Sequence, residues 1–248
     1  MNVTIALIAD VHGNLAALDA VLDALTREQP DQIVCLGDVA ATGPRPHDVV
    51  HRLRELGCDV VMGNADAELL DLPAAEPETD ERADTHKIQD IDRWGAAQLD
   101  DADRAFIASF QPTVEIALGS GRTLLCCHGS PRSYDDLITA TTPDQELESM
   151  MAGYPAAIIA GGHTHIRLLR ACQGREIVNP GSVGLAYQFS PDGSVRVPPW
   201  AEFALLSETG DGALNVDFRR LSYDRDATVR AMKERGMPHA AWWAADWR

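Results

Sequence analysis

Three times in the first 64 residues an apolar run breaks off at a polar residue: "VTIALIAD" at Asp10, "QIVCLGD" at Asp38 and "CDVVMGN" at Asn64. Runs this short and this apolar read as strands covered on both faces, so the fold must supply layers above and below them. Between the runs lie helical patterns. Leu15, Leu18, Val21, Leu22 and Leu25 share one face until Gln29 and Pro30 stop the helix. Val49, Val50, Leu53 and Leu56 share another, from Pro46 to a C′ glycine at Gly57. Such alternation predicts a sheet with helices packed on it.

Past Pro112 the pattern turns to short strands, "TVEIAL", "RTLLCCHGS", "AAIIAGGHTH", "IRLLRA" and "EIVNPGS", separated by Gly, Asn and Pro turns. "EFALLS" and "ALNVDFRRLS" predict a late hairpin about residues 209–212, and residues 224–235 a helix closed by Gly236. Residues 73–90 are acidic and poor in large apolar side chains, which predicts a surface loop; helical segments follow near 88–99 and 101–110. The expected organisation is a single domain over 1–248, with an acidic loop and helical insertion at about 73–110.

A formal charge of −17 argues against bulk nucleic-acid binding, because phosphate backbones are held by basic patches. It leaves room for a small phosphate ester held by metal ions, whose local charge outweighs the surface field. There is no cationic leader and no apolar run long enough for a bilayer, so the expectation is a soluble, cytoplasmic protein with no membrane partner. Cys35, Cys58, Cys126, Cys127 and Cys172 form no CxxC pair and sit in or beside apolar runs, as reduced buried thiols do.

The polar residues collect where strands end: Asp10 and His12, Asp38, Asn64, His128, and His163 with His165. In open α/β sheets ligand groups gather outside the carboxyl ends of strands, so distant segments can deliver all seven to one crevice. Imidazole with carboxylate suits Mn, Fe, Zn, Ni or Co, and the lack of cysteine argues against a structural zinc. Seven donors exceed what one tetrahedral ion needs and suit two ions sharing a carboxylate.

The ordered motifs "DVHGN", "LGDVAATGP", "GNAD", "HGSP", "GGHTH" and "VNPGSVG" resemble the calcineurin-like metallophosphoesterase superfamily, and within it the small bacterial and archaeal phosphodiesterase branch. The resemblance runs from Asp10 to Gly184. It implies a four-layer αββα sandwich of two mixed sheets flanked by helices. It implies a dinuclear metal-dependent phosphoesterase, more a phosphodiesterase than a monoesterase, in which a metal-bound hydroxide attacks phosphorus. By position, Asp10, His12 and His165 resemble ligands of the first metal, Asp38 the bridging carboxylate, and Asn64, His128 and His163 ligands of the second. Other readings on the same fold are a protein Ser/Thr phosphatase and a non-catalytic interaction scaffold; seven filled ligand positions favour an enzyme.

One motif departs from the pattern. Many relatives have G-N-H-[DE], whose histidine is held to protonate the leaving alcohol; here Ala65 cannot, while Asp66 remains. Asn14 and Arg132 stand beside the presumed ligands and could touch phosphate oxygens; equally, Asn14 could cap the first helix and Arg132 pair with local acids. "HDVVH", His47 to His51, imitates a zinc-protease helix, but Val49, Val50 and Leu53 define its buried side and turn both imidazoles outward. "NPGSVG" reads as a turn beneath the site, and the three tryptophans of "AAWWAADW" as packing on the body or a subunit interface.

Overall fold

A computed structural model describes residues 3–72, 83–190, 192–209 and 212–247. The first half alternates β1 (Thr4–Ile8), α1 (Leu15–Glu28), β2 (Gln32–Cys35), α2 (Pro46–Leu56) and β3 (Asp59–Val60), then gives three helices, α3 (Asn64–Leu70), α4 (Ala83–Ala97) and α5 (Asp101–Ala108). The second half runs β4 (Val114–Ala117), β5 (Thr123–Cys126), α6 (Asp144–Met150), β6 (Ile158–Ala160), β7 (Leu168–Cys172) and β8 (Arg175–Asn179). A short hairpin of β9 (Gln188–Phe189) and β10 (Val195–Arg196) leads to the long β11 (Trp200–Glu208) and β12 (Leu214–Ser222). α7 (Arg225–Glu234), α8 (Ala240–Trp243) and a 3₁₀ turn (Ala244–Asp246) follow.

Two five-stranded sheets result, in the orders β12-β11-β1-β2-β3 and β4-β5-β6-β8-β7. Both are mixed: β1, β2 and β3 are parallel while β11 and β12 join antiparallel, and β5, β6 and β8 are parallel between antiparallel β4 and β7. Alternation along each strand assigns the layers. Ile5 and Leu7 of β1 face Leu124 and Cys126 of β5 and Ile158 and Ala160 of β6 in a core between the sheets. Ala6 and Ile8 face the other way, into a cluster with α1, α2 and α4. Leu125, Cys127 and Ile159 turn outward under α6. The expected four-layer arrangement is therefore the observed one. The outer layer over the second sheet is thin, since α6 has seven residues and no long apolar face to announce it in the sequence.

Several expectations shift in detail. Residues 73–82, the first part of the acidic stretch, lie outside the described residues, but the helix begins at Ala83 where a loop was expected to Asp90. Lys87 pairs with Asp84 at 2.9 Å and lies over the Trp242 ring at 4.7 Å, and Ile91 is fully buried. The ion pair within the helix, the contact of Lys87 with the tail and the burial of Ile91 supply what local periodicity lacked. Leu56, placed on the buried face of α2, is 36% exposed at the helix end. The 209–212 turn lies partly outside the described residues, while the β11–β12 pairing around it is continuous from Glu208↔Leu214 to Trp200↔Ser222. All five cysteines are unpaired. Among the described residues no helix is long and apolar enough to cross a membrane.

Leu36 follows β2 and is fully buried in the core between the sheets. Leu36→Ala should cost about 2–5 kcal/mol of stability in denaturant titration; a loss under about 1 kcal/mol would show that this layer is not packed as described.

Candidate metal centre

Parallel pairing brings the carboxyl ends of β1 and β2 to one edge, where their loops interlock. Asp10 N–H donates to Gly37 O at 3.0 Å, His12 N–H to Asp38 O at 3.0 Å and Gly13 N–H to Val39 O at 2.9 Å. The ends of β5 and β6 meet at the same edge of the second sheet, with Gly162 N–H donating to His128 O at 2.8 Å. Among the bonds that join the two sheets at this point, His163 N–H donates to Asp10 Oδ1 at 3.1 Å.

The backbone here is held in an unusual state. Asp10, His12, Asp38, His163 and His165 all have φ between 46° and 66°, in the left-handed region. Non-glycine residues there are uncommon and persist where their surroundings over-determine them, most often at functional sites. Gly63 is needed for a different reason. A Cβ on it would stand 2.1 Å from Asp38 Oδ1 and 2.4 Å from Asp38 N, so only glycine lets the β3–α3 turn reach the carboxylate.

The side chains form two groups that share one member. In the first, His12 Nε2 lies 3.2 Å from His165 Nε2 and 3.6 Å from Asp38 Oδ2, and His165 Nε2 lies 3.6 Å from Asp10 Oδ1. In the second, His128 Nε2 lies 3.3 Å from Asp38 Oδ2 and 3.1 Å from Asn64 Oδ1. The His163 ring meets that of His128 edge to face at 5.1 Å. Donor atoms of Asp10, His12, Asp38 and His165 fall within 4.8 Å of one another, as do those of Asp38, His128 and His163. The seven residues picked out along the chain thus converge, with Asp38 in both groups.

Three imidazoles are oriented from behind. Nδ1 of His12 faces Ala41 O at 3.2 Å, Nδ1 of His128 faces Leu36 O at 2.6 Å and Nδ1 of His165 faces Leu185 O at 2.7 Å. A carbonyl only accepts, so each Nδ1 carries the hydrogen and each Nε2 is aimed inward. Tyr187 stacks on the His165 ring at 4.7 Å and 1°. Asp10 is fully buried, and its Oδ2 has no hydrogen-bond partner. An orphaned carboxylate oxygen beside inward-facing imidazoles is the donor set a divalent cation satisfies.

The charges are strongly coupled. Burial raises the Asp10 carboxyl to about 7 and lowers the His12 and His165 imidazoles to about 4, so those rings are neutral at ordinary pH. Burial opposes ionisation of Asp38 as well, but His128, by charge and hydrogen bond, holds it well below the usual carboxylate range. Burial likewise works against a proton on His128, and the Asp38 carboxylate outweighs it, raising the ring to about 10.

Sequence reasoning missed much of the frame. Asp66 is fully buried and accepts from Asp38 N at 2.7 Å, Val39 N at 2.8 Å and Gly63 N at 3.3 Å, so it fixes the loop that carries Asp38. Ser182, inside "NPGSVG", donates to Asp10 O at 2.8 Å and accepts from Leu185 N at 2.8 Å, a buried brace under the first strand end. Asn179 donates to Gly162 O at 2.6 Å, under the second. The signal available was their place within motifs; their partners lie far away in the chain.

Asn14 and Arg132 are both engaged by partners within the protein. Asn14 caps α1: its Oδ1 accepts from Ala17 N at 3.2 Å and from the Thr228 hydroxyl at 2.9 Å, while Nδ2 donates to Gly184 O at 3.1 Å. Arg132 pairs with Asp136 at 2.7 Å and with Ser149 Oγ at 3.1 Å. In each case the alternative reading describes the contacts, because a nearer partner satisfies the group. His47 and His51 point outward as expected, with side chains 41% and 48% exposed. His47 is not idle, however: its Nδ1 meets Asp103 Oδ2 at 2.5 Å and ties α2 to α5.

A four-layer α/β sandwich carrying a shared-carboxylate cluster at its strand ends defines a class, and comparison with known proteins names it. The model of the calcineurin-like phosphoesterase superfamily domain matches residues 3–197, and the chain belongs to that superfamily. It is similar to the MJ0912 protein of Methanocaldococcus jannaschii, 27% identical over 240 residues that cover 93% of each chain. Among solved structures, a metallophosphoesterase from Sphaerobacter thermophilus superposes with a TM-score of 0.72 at 26% identity, covering 98% of this chain and 99% of that one. Protein PH1004 of Pyrococcus horikoshii superposes with a TM-score of 0.78 at 19% identity, covering 99% and 98%, which shows the shared fold.

The hydrogen bond to Asp103 raises the His47 pKa above its ordinary value. A raised folded-state pKa means that the pair stabilises fully below the unfolded imidazole pKa of about 6.5 and loses this as pH rises through the folded value. In thermal unfolding with chelator present, the Tm gap between wild type and His47→Gln should be widest near about pH 5–6 and close at higher pH. A gap independent of pH would contradict the pairing.

Proposed function

We propose that the chain is a dinuclear metal-dependent phosphoesterase acting on small phosphate diesters. The observation that carries this reading is Asp38 Oδ2, which stands 3.6 Å from His12 Nε2 in one donor group and 3.3 Å from His128 Nε2 in the other. Asp10, His12 and His165 would hold a first divalent cation, Asn64, His128 and His163 a second, and Asp38 both. When bound, such a pair supplies Lewis-acid charge that polarises phosphate oxygens and lowers the pKa of water. Nitrogen and carboxylate donors without cysteine suit Mn, Fe, Zn, Ni or Co.

The residues around the centre support a diester over a monoester. Glu68 on α3 and Asp135 after β5 add negative charge near Asp38 and His163. Arg132, four residues after His128, is committed to Asp136. A diester monoanion meets less repulsion in such surroundings than a monoester dianion. Ala65 spends its N–H on Asp38 Oδ1 at 3.0 Å and has no side chain to protonate a leaving alcohol. Esters with good leaving groups are therefore the favoured substrates.

With Mn²⁺ or Ni²⁺ present, a bis(nitrophenyl) diester should be hydrolysed faster than the nitrophenyl monoester, and chelation should abolish both rates. Asp38→Ala should lose more metal affinity than the roughly 10–100-fold that outer-sphere substitutions cost; wild-type metal content and rate in that variant would refute the reading. Ala65→His should raise kcat/KM on alkyl diesters by up to about 10²–10⁴-fold while changing nitrophenyl esters little. Equal, small effects on both substrates would show that protonation of the leaving group is not what limits this chain.

A further inference from the structure

The loop after β2 wraps the back of His12, and its geometry is costly. Thr42 has φ +60°, a left-handed conformation that is a genuine outlier for a β-branched residue. Its hydroxyl meets His12 Nδ1 at 2.7 Å, beside Ala41 O at 3.2 Å. The next residue, Gly43, passes so close that a Cβ there would fall 1.8 Å from His12 O. Arg45 N–H donates to Gly13 O at 3.1 Å and closes the wrap. The strained residue is fixed from outside the loop, where Asp92 of α4 accepts the Thr42 N–H on Oδ1 at 2.8 Å. Strain of this kind persists where the surroundings impose it, and here they impose it to place one hydroxyl on one imidazole.

We propose that Thr42 and Asp92 are positioning residues for the first cation site: they hold the His12 ring in the orientation that aims Nε2 at Asp38 and His165, and they thereby fasten α4 to that site. The inference rests on the reading of His12 as a metal ligand. Thr42 is the hydrogen-bond partner that a ligating imidazole keeps on its distal nitrogen, and such partners set ligand orientation and basicity. Asp92 acts one step further back. Its Oδ1 accepts the Thr42 amide at 2.8 Å, so that the strained turn does not relax into a conformation that withdraws the hydroxyl. The helical segment over Ala83–Ala97 is on this account part of the metal site's support, although none of its residues is a candidate ligand.

Equilibrium dialysis of the full chain against Mn²⁺, followed by metal analysis, tests this. Wild type should retain two ions. Thr42→Ala and Asp92→Ala should each weaken one of them by roughly 10–100-fold and leave the other unchanged. Thr42→Ser keeps both the hydroxyl and the amide and should load like wild type. Asp92→Asn keeps an acceptor oxygen and should fall between wild type and Asp92→Ala; should Asp92→Ala not fold, the Thr42 pair decides alone. Thermal unfolding under chelator separates positioning from plain packing: variants that lose metal-free stability but bind both ions with wild-type affinity overturn the proposal. A wild type that loads two ions alongside variants that all match it overturns the positioning role alone. A wild type that takes up no metal overturns the reading of the centre, and this inference with it.

Discussion

The placement of the Asp38 carboxylate is the constraint on which the rest of the site depends. Every polar atom of that residue is committed. Its N–H goes to Asp66, its C=O accepts from His12 N, its Oδ1 accepts from Ala65 N, and its Oδ2 faces both His12 and His128. A residue tied to β1, to the β3–α3 turn and to the second sheet cannot move without dragging all three. That is why its φ of 55° is maintained, and why Gly63 has no room for a Cβ. Sheet packing supplies the force behind this arrangement. The apolar alternation of β1, β5 and β6 closes the core between the sheets and brings the two sets of strand ends together.

Burial then gives the cluster its chemistry. Carboxylates and imidazoles taken out of water lose the solvation of their charged forms, and the resulting shifts run in opposite directions, Asp10 up and His12 and His165 down. Neutral imidazoles with Nδ1 held by carbonyls present a lone pair inward, and a buried carboxylate oxygen without a partner waits beside them. Such an arrangement is expensive as a hydrogen-bonding network and well matched to divalent cations. The strand ends of both sheets therefore hold five left-handed non-glycine residues and an orphaned carboxylate oxygen together.

How much of this was legible along the chain follows from the range of each interaction. The three N-terminal strands and helices α1 and α2 are legible because periodicity and the cap residues Pro46 and Gly57 are local signals. The candidate ligands are legible because strand ends announce themselves and the motifs occur in a fixed order. What stayed hidden depends on partners distant in sequence. Asp66 reads only as the acid that remains of G-N-H-[DE] until its bonds to Asp38 and Val39 are seen. Asn14 stands next to a ligand motif yet is spent on capping α1 and on Thr228, more than 200 residues away. Helix α4 begins at Ala83 with Lys87 over the Trp242 ring of the tail, and α6 is too short to carry a periodic signal. Thr42 offers no cue at all, since its importance lies in a dihedral angle and in an acceptor from another helix.

The proposed function requires two cations that share Asp38. Anomalous diffraction from crystals of the full chain grown with Mn²⁺ is the decisive measurement. Two peaks roughly 3.5–4 Å apart are expected, one on each side of the Asp38 carboxylate, the first reached by His12 and His165 and the second by His128 and His163. A single peak, or none, in crystals where these side chains are ordered would contradict it.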